Sequence, residues 1–164
     1  MSKLKRFLQI EIICFVVLIL LYLMPRIRLA MDNHIDRCLP NIKAALLVET
    51  KPGVKNILPG DLIFWRPYGP LSYVNDEFIV KEVVGVEGDF LSIEGETIKV
   101  NNITVATGLP NSSPQEQRAH KFDRSETIPE AQFFVLGHNP LSYDSRYWGY
   151  VPYQKILGRA IAVF

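Results

Sequence analysis

Two rhythms of hydrophobic and polar positions divide this chain of 164 residues. From Phe7 to Met24 nearly every position is apolar, broken only by Gln9 and Glu11. As a helix these eighteen residues rise about 27 Å, enough to cross a bilayer core of roughly 30 Å with some thinning. Pro25 and the basic residues Arg26 and Arg28 close the run, and Glu11 sits near enough to its start to reach the headgroups. A buried helix is the first alternative, but no other segment is apolar enough to wrap around it. A cleaved signal peptide is the second, with Leu29-Ala30-Met31 as its small-residue site. The run exceeds the usual apolar core of such peptides, roughly 7–15 residues, and so predicts a membrane anchor. Lys3, Lys5 and Arg6 on one flank nearly balance Arg26, Arg28, Arg37 and Lys43 on the other, so charge alone does not orient it.

Beyond residue 31 the apolar runs are short, with strand character at Ala44–Glu49, Asp61–Arg66, Phe78–Val84, Phe90–Ile93, Thr97–Val100, Ile103–Val105, Ala131–Leu136 and Ile156–Phe164. Turn residues separate them. Leu58-Pro59-Gly60-Asp61 leads into a strand, and Glu94-Gly95-Glu96 and Asn101-Asn102 read as tight hairpin turns. Gly108 to Ser125 is polar, contains prolines and has no periodicity, the pattern of a long loop or small insertion. The expectation is a mainly β fold, a sheet or partly closed barrel. Residues 1–31 form a stub and anchor, and residues 32–164 form the β-rich domain.

Composition narrows the function. Eighteen basic and seventeen acidic residues leave a net charge of +1, which disfavours nucleic-acid binding through charge. With 48% apolar and 21% charged residues, global disorder is disfavoured too. Two cysteines exclude a disulfide-dense scaffold and a four-thiolate zinc site. No histidine or carboxylate cluster has ligand spacing, so no metal and no cofactor is implied.

Three motifs carry candidate chemistry. In Arg37-Cys38-Leu39-Pro40, Cys38 is the only cysteine outside the apolar run. Cys14 lies roughly 15 Å inside the helix end, too far for the α-carbon separation of under about 7 Å that a disulfide needs. Cys38 is then a free thiol: a nucleophile if a base deprotonates it, or a small buried hydrophobe. In Phe78–Asp89, the side chains of Ile79, Lys81 and Val83 share one strand face. Desolvation between β-branched neighbours favours the neutral amine of a lysine, a general base. The same lysine could also guard an exposed edge or snorkel to water. The third motif, Gly137–Pro152, packs polar, aromatic and turn residues after a strand. Asp144 and Arg146 can pair, Ser142 or Ser145 can hydrogen-bond a neighbour, and His138 reads as a solvated or structural loop residue.

Together these motifs resemble the type I signal peptidase family of membrane-anchored serine/lysine proteases. Asp144-Ser145-Arg146-Tyr147-Trp148-Gly149-Tyr150-Val151-Pro152 is similar to the signature DSRYWGxVP, and Gly137 and Asn139 match the preceding GDN. Lys81, Val83, Gly85, Gly88 and Asp89 match the box KRVxGxPGD, whose lysine is the general base. Leu58-Pro59-Gly60-Asp61-Leu62-Ile63 resembles the hydrophobic stretch after the nucleophile. There are departures. Cys38-Leu39-Pro40 stands where Ser-Met-x-Pro is usual, Glu82 replaces the arginine, Glu87 the proline, and His138 the GDN aspartate. The short domain and altered nucleophile box look more like the conjugative-transfer, TraF-type peptidases that mature pilin precursors.

The resemblance implies a catalytic pair of Cys38 and Lys81, with Ser72 as an alternative nucleophile. It implies Ser142 as the serine that orients the lysine amine, and Asp144 and Arg146 as structural partners. It further implies a single-pass protein of the bacterial inner membrane with its catalytic domain on the periplasmic side. The expected partners are a signal-peptide or pilin precursor bound as an extended strand, membrane lipid and other conjugation-apparatus proteins. Two rival readings remain: a non-catalytic assembly scaffold, and a peptidase-like acyl transferase that cyclises its product through a thioester.

Overall fold

The computed structural model describes residues 3–23, 27–31, 38–50, 56–74 and 77–163. Helix α1, Lys3–Leu23, takes up the apolar run, and Phe7, Ile10, Phe15 and Leu18 are among its exposed side chains. Pro25, Arg26 and Arg37 lie outside the described residues. Among the described residues no helix is long and apolar enough to cross a membrane.

The rest is mainly β, in two antiparallel sheets. The larger runs in the order β1 (Ile27–Met31), β2 (Ala44–Glu49), β11 (Gly158–Ala162), β3 (Leu62–Trp65), β4 (Ile79–Gly85), β9 (Gln132–Leu136), β10 (Val151–Pro152). The smaller runs β7 (Ile103–Thr107), β6 (Thr97–Val100), β5 (Phe90–Glu94), β8 (Arg124–Thr127). The expected strands recur with ends shifted by up to two residues, and the last is cut back to β11. Asn101 and Asn102 both adopt positive φ, 51° and 66°, as a primed turn between β6 and β7 requires.

Several elements escaped the sequence pattern, the short strand β10 among them. Ile27–Met31, grouped above with the anchor, forms an edge strand paired to β2 from Ile27↔Val48 to Met31↔Ala44. The sheet therefore begins before residue 32. The segment 108–125, expected as a long loop or small insertion, holds a one-turn helix α2, Pro114–Arg118, and the first half of β8. A reciprocal capping box of Ser113 and Glu116 stabilises α2. Ser145–Trp148 forms the short helix α3 behind the N-cap Asp144.

Strand β9 joins the two sheets. Its run Phe133-Phe134-Val135-Leu136 is buried on both faces, as a continuous apolar run permits. Phe133 and Val135 pack into one core with Ile63, Trp65 and Val83. Phe134 and Leu136 pack with Leu91, Ile93 and Ile98 of the smaller sheet. A third cluster, Ala45, Leu47, Phe64 and Ala160, is built from β2, β3 and β11 of the larger sheet.

Candidate active site

Strand β4 alternates in burial, with Lys81, Val83 and Gly85 inward. Lys81 lies opposite Ile63 of β3 and is only 3% exposed. A buried amine needs a polar partner. It finds one 61 residues away, where Lys81 Nζ donates to Ser142 Oγ at 2.7 Å. Ser142 is itself buried.

The turn after β9 sets Ser142 in place. Ser142 N–H donates to Asn139 O (2.9 Å), and Asn139 N–H donates to Cys38 O (3.0 Å). Gly137 is where these strands of chain meet most closely. A Cβ there would lie 2.3 Å from Ser142 Oγ and 2.8 Å from Cys38 O. Only glycine leaves room for that approach.

Behind the turn, Asp144 and Arg146 form a fully buried bidentate pair, Arg146 Nε to Asp144 Oδ1 2.8 Å and Nη2 to Oδ2 2.9 Å. Arg146 also donates to the carbonyls of Gly108, Pro140 and Ser142. Asp144 Oδ2 accepts from Gly137 N–H at 3.1 Å. Burial opposes the charge on Arg146, but the bond and charge of Asp144 outweigh it and raise its pKa. Ser145 Oγ accepts from Val135 N–H at 3.0 Å, capping a ladder position of β9. Tyr143 and Tyr147 stack at 5.3 Å.

Cys38 is half-buried with a free thiol. It lines a cavity of about 630 Å³ together with Lys81, Leu29, Ala45, Leu71 and Tyr143. The wall is mostly aliphatic. The alternative nucleophile Ser72 is exposed at the end of a 3-10 turn, Gly69–Leu71. The cavity takes its neighbours Leu71 and Tyr73 but not Ser72. His138 is paired with Glu82. The contribution of β1 and Tyr143 to the wall was missed in the sequence, although Ile27-Arg28-Leu29-Ala30-Met31 carries a period-two signal.

The model of the family described as signal peptidase, peptidase S26, matches residues 4–164. The chain belongs to the signal peptidase family. Among curated relatives, it is 35% identical over 109 residues to signal peptidase I of Leptolyngbya laminosa, covering 64% of this chain and 51% of that one. It is 33% identical over 108 residues to the probable signal peptidase I-2 of Synechocystis sp., covering 64% and 47%. The chain thus spans about half the length of the curated relatives it matches. A crystal structure of a signal peptidase I from Enterococcus faecalis aligns with 65% of this chain and 97% of that one, at 23% identity and a TM-score of 0.41. Within this signal peptidase domain, Lys81 and Ser142 meet at the end of the β4–β9 ladder, the lysine on β4 and the serine in the turn that follows β9.

Proposed function

We propose that this chain is a membrane-anchored endopeptidase that cleaves a signal-peptide or pilin precursor at the outer face of the membrane. Cys38 is the nucleophile and Lys81 the general base. The observation that carries the reading is the buried Lys81 amine held by Ser142 at 2.7 Å in the wall of the cavity that Cys38 also lines.

In the reaction, neutral Lys81 takes the proton of the Cys38 thiol, and the thiolate sulfur bonds to the scissile carbonyl carbon. The carbonyl oxygen gains the charge, for which the Cys38 N–H is a candidate donor. The Lys81 ammonium returns its proton to the leaving amine as the C–N bond breaks, which leaves a thioester. Water, deprotonated by Lys81, then attacks the thioester, and the thiolate departs from the new carboxyl product. Ser142 orients the amine throughout. Asp144 and Arg146 hold the Ser142 turn.

The anchoring part of the proposal rests on the apolar sequence of α1 and on an exposed apolar stripe of the larger sheet. Leu29, Leu46 and Ile161 are in register across β1, β2 and β11 and are all exposed, at 60%, 36% and 56%. A domain tethered close to the bilayer meets a precursor held in the same plane, which raises effective concentration and pre-orients the cut. The cysteine at position 38 favours the pilin-maturing, conjugative branch over general secretion.

The test is processing of a candidate pilin precursor in cells, with wild type, Cys38→Ala, Cys38→Ser and Lys81→Ala. Both alanine variants are expected to lose mature product, by about 10²–10⁴-fold for the lysine, and serine is expected to restore part of it. Unchanged processing in both alanine variants overturns the pair. A product lighter by one water on mass spectrometry identifies cyclisation instead of hydrolysis.

A further inference from the structure

Ser142 bonds the Lys81 amine, and the next residue, Tyr143, lines the cavity that Lys81 and Cys38 also line. Its chain neighbours Ser142 and Asp144 are buried, whereas Tyr143 is 36% exposed. The backbone is thus packed away on both sides of a ring left accessible at the cavity wall. Among the described residues the Tyr143 hydroxyl makes no hydrogen bond, so the ring itself is what this residue offers.

That ring is braced. Tyr143 and Tyr147 stack at 5.3 Å between centroids and 21° between planes. Tyr147 meets Phe122 edge-on at 5.4 Å, and its hydroxyl accepts from the Asn111 N–H at 3.2 Å. The Arg146 guanidinium, itself bonded to Asp144, lies 5.6 Å from the centre of the Tyr147 ring. Asn111 and Phe122 belong to the segment 108–125, which the proposed mechanism leaves without a task. Through Tyr147 this segment supports the cavity wall.

Tyr73 and Phe78 are the other rings on that wall. Phe78 packs edge-on against Phe64, with Arg28 and Arg66 over its ring. Tyr73 is 67% exposed and has no ring contact among the described residues. Of the three, Tyr143 alone is both stacked on another ring and next in the chain to the residue that bonds Lys81. Stacking covers one of its faces with Tyr147 and leaves the other face and the edge to the cavity. An aromatic side chain gains from such a surface, because ring quadrupoles attract in stacked and edge-to-face contacts as well as excluding water. Serine gains neither. Two residues of an extended chain cover about 7 Å, roughly the reach of a tyrosine side chain, so the ring meets a substrate residue within about two positions of the bond held at Lys81.

We infer that Tyr143 is a specificity-determining residue that selects an aromatic side chain of the precursor within about two residues of the cut, and that Tyr147 and Phe122 are positioning residues for its ring. The choice of cleavage site rests on the peptidase reading; the binding preference rests on the cavity and the ring geometry alone.

The test uses the full chain in detergent micelles and two fluorescein-labelled alanine decapeptides that differ in one central residue, phenylalanine or serine. Anisotropy reads Kd in a Lys81→Ala background, and mass spectrometry reads cleavage with Lys81 present. The ratio of the two peptides is compared between proteins, which cancels the pull of the micelle on phenylalanine. Preference for the phenylalanine peptide is expected to fall about 3–10-fold in Tyr143→Ala, the size of one aromatic pair. Tyr143→Phe is expected to keep it. Phe122→Ala is expected to lose about 2–3-fold of the preference through KM with the kcat ratio unmoved, and Phe122→Tyr to retain it. The cut is expected within two residues of the phenylalanine. Should Tyr143→Ala not fold, Tyr143→Leu, which keeps bulk without the flat face, takes its place. Equal binding of the two peptides by wild type overturns the inference. So does an unchanged preference in Tyr143→Ala, or an equal loss in Tyr143→Phe. An unchanged preference in Phe122→Ala overturns the positioning part. If the binding preference behaves as expected while Lys81→Ala cleaves as well as wild type, the aromatic wall stands and the peptidase reading falls. If Lys81→Ala abolishes cleavage while Tyr143→Ala keeps the preference, the peptidase reading stands and the wall falls.

Discussion

Gly137 is the residue on which the site closes, because it lets the Ser142 hydroxyl and the Cys38 carbonyl approach one backbone position. Gly137→Ala is expected to push Ser142 off Lys81. It should cost about 1–3 kcal/mol of stability and about 10²-fold in kcat, the scale of an ångström misplacement. Thermal unfolding and peptide cleavage of the same sample check both. Arg146→Leu is a different kind of fault. It leaves Asp144 buried and unpaired at 0% exposure, so unfolding by denaturant should show a loss of about 3–5 kcal/mol. Lys81, Ser142, Asp144 and Arg146 were all legible as candidates, because their types and spacing fit a motif. That Lys81 and Ser142 touch was not legible. The contact spans 61 residues and depends on β4 and β9 being paired neighbours. Glu82 and His138 were legible only as mismatches, since a charge pair between distant segments leaves no local periodicity.

Alternation and turn chemistry decided the elements more than propensity did. The inward face of β4 followed from period two, and the hairpin at Asn101 and Asn102 from their tolerance of positive φ. Helix α2 was missed because one turn carries no apolar repeat, yet its capping box was written in the sequence as Ser113 and Glu116. A hydrogen bond from Lys121, then those of Ser113, hold Glu116 down from 4.5 to about 2. A lowered folded value means a contribution present above the ordinary glutamate range and lost as pH falls towards about 2. Protection of the Gln117 and Ala119 amides is therefore expected to decline across that window, and Glu116→Gln is expected to abolish the pH dependence. Strand β1 was missed for another reason. Its outward residues Ile27, Leu29 and Met31 continue the apolar character of the preceding helix, so composition concealed the change of period.

On the scale of the whole molecule, an apolar helix precedes in the chain the edge strand of a sheet that bears an exposed apolar stripe, which fits the proposal of a domain held close to a bilayer. If that placement holds, replacing Leu29, Leu46 and Ile161 together by serine should weaken partition of the α1-deleted chain into lipid vesicles. The loss is expected to be about tenfold or more, since each side chain contributes roughly 1 kcal/mol at partial burial. Sedimentation with vesicles measures it, and equal partition of the two proteins overturns the stripe as a lipid contact. The sequence by itself determined the strand-and-turn grammar, the apolar helix and the family, because these are local patterns read within a few residues. Only the tertiary structure decided that Lys81 and Ser142 touch, which nucleophile candidate lines the cavity, and that Glu82 and His138 are partners. Those outcomes depend on strand order and register, which emerge when distant apolar faces are buried together.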